Sequence, residues 1–218
     1  MYVKKYMKEN PMTVGPDTGI GEAGNILRAN PFRHLPVVDS DGLLLGMITD
    51  RDIRSAYPSS VLDRQECERE QDKINVTPVS QIMSQDVVSL GGFSTLDDAL
   101  LLLGRERVGA LPVLDEHRKV TGIFSVRDLL SAYNELFGVG EKGSALITVR
   151  SDGKPRPLSR ITHVLEDHDI HFSRVVRKKM ADHEESGHEM IYIRVNTFNI
   201  HAVHSALAEA GFPVQQPC

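Results

Sequence analysis

A chain of 218 residues is long enough for one large domain or two small ones with a real apolar core. Its composition is 40% hydrophobic and 25% charged, and the formal net charge of -5 argues against sequence-independent binding to nucleic acid or an anionic membrane. Cys67 and Cys218 stand alone without CxxC spacing, which excludes a disulfide framework and a cysteine zinc site and fits a reducing cytoplasm.

The first residues, MYVKKYMKENPM, lack the long apolar stretch of a signal peptide. The longest strongly apolar run, Ala99 to Leu103, is too short for a bilayer, so a soluble, unexported protein is expected. A first strand is predicted at Met12-Thr13-Val14. A helix follows whose Ile20, Ala23, Gly24 and Leu27 recur at i, i+3, i+4 and i+7, burying one face. A strand over His34 to Val38 leads through the Asp41-Gly42 turn to a third strand ending at Thr49, where a short helix begins. Mixed charges around Val61, Leu62 and Ile74 mark 58–77 as a solvated helical connector.

The pattern then starts again. Sliding the chain by 76 residues aligns Met7–Tyr57 with Met83–Tyr133 without a gap, at 14 identities in 51 positions. Leu35-Pro36-Val37 and Asp39 fall on Leu111-Pro112-Val113 and Asp115, Gly46 on Gly122, and Arg51-Asp52 on Arg127-Asp128. The second copy opens at Val87 to Leu90, and its first helix carries the stripe Leu96, Ala99, Leu100 and Leu103. Each copy reads as strand, helix, strand, strand, helix. About fifty residues with one amphipathic face make too small a core alone, so the two copies are expected to pack as one domain.

Both third strands end in [ST]-x-R-D: Thr49-Asp50-Arg51-Asp52 and Ser125-Val126-Arg127-Asp128. One reading is a capping box, in which the hydroxyl caps the helix and the acid bonds back to the cap's backbone N–H. The other is a ligand site, because free N–H groups at a helix start attract phosphate, arginine adds donors, and a carboxylate accepts ribose hydroxyls.

The duplicated hxxLPVVD and Gly-h-h-[ST]-x-R-D pattern resembles a tandem CBS-domain pair over residues 1–137, with repeats at 1–57 and 78–137. The resemblance implies two pseudo-symmetric clefts taking AMP, ADP, ATP or S-adenosylmethionine, and association into a homodimer. The ligand set it implies is Thr49, Arg51 and Asp52 with His34, Leu35 and Pro36 in one cleft. In the other it is Ser125, Arg127 and Asp128 with Ala110, Leu111 and Pro112. No catalytic residue, metal or required cofactor is expected.

A competing motif, Gly19-Ile20-Gly21-Glu22-Ala23-Gly24, spells GxGxxG after a short strand, with Asp39 about twenty residues on, as in a dinucleotide fold. The second copy has Thr95, Asp97 and Leu100 at those places and keeps its stripe, so the glycines read as dispensable to the fold.

From Ala145 the pattern changes to a strand over Ala145 to Val149, a helix over Leu158 to Glu166, strands over Ile170 to Val176 and Glu189 to Val195, and a helix over Asn199 to Ala210. A last strand at Phe212 to Val214 completes βαββαβ. Stripes of Leu158, Ile161 and Leu165 and of Ile200, Val203, Leu207 and Ala210 cover one sheet face, and Gly211 stops the second helix. This order over 144–218 resembles the ferredoxin-like ACT domain, which in many proteins takes an amino acid. The family's Asp-x-Pro-Gly-x-Leu is here Asp152 to Leu158, with Arg156 after the proline. CBS pair followed by ACT-like module resembles the bacterial acetoin-utilisation accessory family in domain order. The fold class is thus mixed α+β and α/β.

Seven of nine histidines, His163, His168, His171, His183, His188, His201 and His204, lie in this part among Asp167, Asp169, Glu184 and Glu189 without a recognised metal spacing, and read as a polar surface. No GxSxG, HExxH or GxxxxGK[ST] occurs, so the chain reads as a ligand sensor with a protein target. An interaction scaffold with empty clefts and a small NAD-dependent enzyme are the alternatives.

Overall fold

The computed structural model describes residues 1–57, 71–179 and 189–215, and its contacts divide the chain into two units, Met1–Ala132 and Tyr133–Cys218. Cys67, Cys218, His183, His188, Glu184 and most of the predicted connector lie outside the described residues; of the connector, 71–76 is helical.

In the first unit, the first repeat holds β1 (Lys8–Glu9), α1 (Ile20–Ala29), β2 (His34–Val38), β3 (Leu44–Thr49) and α2 (Asp50–Ala56). The second holds β4 (Leu90–Gly91), α3 (Leu96–Glu106), β5 (Ala110–Leu114), β6 (Val120–Ser125) and α4 (Val126–Phe137). The strands expected at Met12 to Val14 and Val87 to Leu90 are shorter than the sequence implies. Val14 makes a single parallel bridge to Val37, and Leu90 pairs with Val113 in the same way.

Each β-hairpin has the same register. His34 faces Thr49 across β2 and β3, Ala110 faces Ser125 across β5 and β6, and both ladders slip after the central valine, Val37 or Val113. The repeats also exchange backbone. Lys8 of the first pairs with Ile123 of the second, and Met47 of the first with Ser84 at the start of the second. These contacts explain the matched glycines. A Cβ on Gly46 would lie 2.6 Å from Met83 Sδ and 2.8 Å from the Ser84 carbonyl, and one on Gly122 would collide with Met7 Sδ. The exchange also reaches the hairpin tips, where Leu43 bridges Lys119.

Helix α1 buries Ile20, Ala23 and Leu27 against Leu35, Val37, Ile48 and Ile53. Helix α3 buries Leu96, Ala99 and Leu103. Leu100, which the periodicity places in that stripe, is 46% exposed: the position matches Gly24, whose missing side chain lets Ile53 approach, and a leucine there is turned outward.

The second unit begins with the last residues of α4 and continues as β7 (Ser144–Arg150), α5 (Pro157–Asp167), β8 (Phe172–Lys179), β9 (Glu189–Asn196) and α6 (Ile200–Glu209). The antiparallel order is β7-β9-β8, and Val214 bridges Val149 on the free side of β7, so the expected last strand is one bridge long. The predicted stripes form the core: Ile161 and Leu165 of α5 and Val203 and Leu207 of α6 pack with Ile191, Ile193, Val195 and Phe212. Sequence reading ends the first domain at 137, yet 133–137 groups with this unit. Arg174 donates to the carbonyls of Leu136 (2.8 Å) and Glu135 (2.9 Å), and Arg194 to that of Phe137 (3.1 Å). These are the open carbonyls of a helix end, which cations satisfy.

Candidate functional site

The ends of β3 and β6 deliver the two [ST]-x-R-D motifs to helix N-termini. Thr49 Oγ1 donates to Asp52 Oδ2 at 2.6 Å, Thr49 N donates to the same oxygen at 2.8 Å, and Asp52 N returns a bond to the hydroxyl at 3.3 Å. Ser125 and Asp128 repeat this at 2.6, 2.7 and 3.4 Å. Both are complete capping boxes. A third, Thr95 with Asp98 at the start of α3, has bonds of 2.7, 2.8 and 3.1 Å. A capping box alone is therefore no ligand signature in this chain. In all three the aspartate Oδ2 takes both bonds and Oδ1 takes no protein hydrogen bond among the described residues, so what sets the Ser125–Asp128 box apart is its surroundings.

Beside the Ser125–Asp128 box lies a cavity of about 650 Å³, within the range that binds a small ligand. The second repeat contributes Gly109, Ala110, Ile123 and the Ser125–Asp128 motif; the first contributes Lys8, Pro11 and Met12 before α1, and Pro31 to His34 after it. The wall is mixed in origin because of the backbone exchange, since pairing of β1 with β6 brings the first repeat's opening segment to the second repeat's motif. Lys8, Arg33 and Arg127 make no ion pair among the described residues, so three cations face the one carboxylate of Asp128.

His34 stands between the two motifs. It pairs across the sheet with Thr49, lines the cavity, and lies against the Gly109 backbone, where a Cβ would come within 2.9 Å of its Cε1. Burial lowers its pKa, the Arg33 charge adds to that, and Asp50 and Asp52 pull the other way, so the ring is neutral at pH 7.

Of the expected ligand residues, Ser125, Arg127, Asp128, Ala110 and His34 meet at this cavity. Thr49, Arg51 and Asp52 stand at the equivalent end of the first repeat, with the Arg51 side chain exposed. Leu35 and Leu111, at 0% and 1% exposure, are core residues, and Pro36 and Pro112 are buried beside them, because alternation along each strand turns Leu35 and Leu111 inward. Lys8, Pro11, Met12, Arg33 and Gly109 were not among the expected residues. The 76-residue alignment does carry a signal for two of them, since Arg33 and Gly109 occupy matching positions just before His34 and Ala110.

The GxGxxG segment is not a phosphate loop. Ile20 N, at the start of α1, donates to Thr77 O at 2.8 Å, and Gly19 bridges Pro78, so the chain's own residues fill the place a pyrophosphate would take. The glycines are also not dispensable: Cβ atoms on Gly19 and Gly21 would lie 2.5 Å from the Asn75 carbonyl and 2.7 Å from its Oδ1. The second repeat makes the equivalent contact without the glycines, with Leu96 N donating to Met1 O and Thr95 bridging Tyr2. Among the described residues no three His, Cys, Asp or Glu side chains gather as a metal site, and no helix is long and apolar enough to cross a membrane.

The CBS-domain family model matches residues 3–59 and 79–135. A CBS domain-containing protein of Dictyostelium discoideum is 40% identical over 128 residues, 59% of this chain and 88% of that one. Among solved structures, the CBS domain pair of protein MJ0100, in complex with 5′-methylthioadenosine and S-adenosyl-L-methionine, shares 27% identity at a TM-score of 0.51, covering 61% of this chain and 99% of that one. CBSX2, in complex with AMP, shares 25% at 0.52, covering 62% and 97%. The acetoin utilization protein AcuB of Vibrio cholerae, at 23% identity and a TM-score of 0.54 over 65% of this chain and 96% of that one, shares the fold. With two matched copies spanning more than half its length, this chain belongs to the CBS-domain family.

Proposed function

We propose that this protein is a regulatory sensor of an adenine nucleotide, bound in the cavity beside Ser125 and Asp128, and not an enzyme. The observation that carries the reading is the meeting of that capping box with Lys8, Arg33 and Arg127 around one cavity of about 650 Å³. The free Oδ1 of Asp128 can accept ribose hydroxyls, the N-terminus of α4 and the three cations attract phosphate, and Ala110 leaves room for a flat base. Adenine ligands in the related CBS pairs support the choice of base. Three cations to one carboxylate favour AMP, ADP or ATP over S-adenosylmethionine, whose sulfonium is itself a cation.

The C-terminal unit supports an ACT-like identity by its β-α-β-β-α order and by its sheet, in which Val214, β7, β9 and β8 follow one another. Arg156 stands where the ACT pattern has glycine, and its backbone keeps the left-handed conformation a glycine would take (φ 56°, ψ 48°). We assign this module the transmission of the nucleotide signal to a protein target, in a homodimer.

The third capping box at Thr95 and Asp98 favours a second reading, a scaffold in which all such boxes only cap helices. A thermal-shift panel with AMP, ADP, ATP, S-adenosylmethionine and NADH separates the two. Ligand at a hundred times its Kd adds about 2.7 kcal/mol; a clear rise with a phosphorylated adenosine supports the sensor, and a flat response to every compound moves the reading to the scaffold.

A further inference from the structure

The two clefts are related by the 76-residue repeat, and their floors differ. Opposite the motif hydroxyl the second repeat has Ala110 beside Ser125, whereas the first has His34 beside Thr49. Next to the hydroxyl the second repeat has Val126, the first Asp50. At both of these places the second repeat carries the smaller or uncharged group. The His34 ring does more than occupy its own side. Lying on the Gly109 backbone, with Cε1 and Nε2 only 2.9 and 3.0 Å from where a Cβ would be, it sits across the hairpin from Thr49 while lining the cavity beside Ser125 and Asp128. Asp50, although paired with Arg54 at 3.2 Å, adds a carboxylate to that of Asp52 on the side from which a phosphate would approach the α2 N-terminus, and both act on His34.

We infer that His34 and Asp50 are specificity-determining residues that close the first-repeat cleft to nucleotide, so that each chain takes one nucleotide, in the cleft of Ser125 and Asp128. The inference rests on the nucleotide reading proposed above. Divergence of the two copies has made one floor a plug and left the other a socket, and a single imidazole serves as the plug of one and the wall of the other.

The test is isothermal titration of the full chain with AMP, each variant first checked for an unchanged thermal unfolding profile. The wild type is expected to take one AMP per chain. Ser125→Ala/Asp128→Ala should lose that binding, and Ala110→His, which copies the plug into the socket, should lose it too. His34→Ala/Asp50→Val, which copies the socket into the plug, made in the Ser125→Ala/Asp128→Ala background, should restore one AMP per chain. Should Ala110→His fail to fold, the other variants still decide. Two AMP per wild-type chain, one AMP surviving Ser125→Ala/Asp128→Ala alone, or no AMP taken by the folded four-residue variant would each overturn the inference and leave the sensor reading standing. No heat with wild type, together with a flat thermal-shift panel, defeats the sensor reading itself.

Discussion

Three hydroxyl-carboxylate boxes in this chain share nearly one geometry, and only the residues around them separate a cap from a ligand site. Thr95→Ala removes a cap that does not line the Ser125–Asp128 cavity and is expected to cost about 1 kcal/mol of stability with nucleotide affinity unchanged. Ser125→Ala is expected to cost about the same and in addition to weaken nucleotide binding roughly tenfold, about 1.4 kcal/mol; equal Kd values for the two variants would assign Ser125 to capping alone. His34 gives a second prediction at this scale. Burial holds its pKa below the ordinary 6.5, with Arg33 adding to the effect against Asp50 and Asp52. As pH falls, the unfolded chain takes up that proton first. The stability contributed by neutral His34 is thus complete above about 6.5 and is lost as pH falls through that value toward the lower folded one. His34→Gln should flatten the fall in Tm between about pH 7.5 and 5.5, and an unchanged slope would show that other groups set it. The motif residues were legible in the sequence because they are duplicated. Arg33 and Gly109 were not, since their meaning lies in a difference between copies that identity counting ignores. Leu35 and Leu111 entered the ligand set through the family resemblance, and their burial shows that identity between repeats records core packing as readily as chemistry.

Periodicity made the helices and hairpins readable to within three residues. Leu100 was misread because one repeat fills that position with a leucine and the other with Gly24, and only the packing of Ile53 tells which is buried. The exchange of Lys8 and Ser84 between repeats was invisible, because a one- or two-residue pairing has no period. It nevertheless explains the identity of Gly46 and Gly122. Gly46→Ala forces a Cβ to within 2.8 Å of the Ser84 carbonyl and is expected to destabilise the first unit by about 1–3 kcal/mol, read as a lower denaturant midpoint; a neutral effect would mean that the exchanged segment is free to shift. In the C-terminal unit the left-handed Arg156 costs roughly 1–2 kcal/mol relative to glycine. Part of that returns as extra unfolded-state entropy when glycine is introduced. Arg156→Gly should therefore raise the unit's melting temperature slightly, and a fall would mean that the arginine side chain contributes more than its backbone costs.

For the molecule as a whole, the duplication and the change of pattern after residue 144 point to two modules, and the contacts divide the chain after Ala132 while the family match runs to 135. Arg174 and Arg194 hold the carbonyls of 135–137, and cations at a helix end leave no mark on hydrophobic periodicity. Coupling between the modules belongs to this scale: nucleotide is expected to change hydrogen exchange within 144–215, and an unchanged pattern there would confine the response to the CBS pair. The account's central claim is that a phosphorylated adenosine binds at Ser125 and Asp128. The most direct measurement of it is AMP binding to wild type and to Asp128→Ala, compared with Thr95→Ala as a folded control that also lacks a cap. The account predicts binding by wild type and Thr95→Ala and at least a tenfold loss in Asp128→Ala; the same Kd in all three would contradict it.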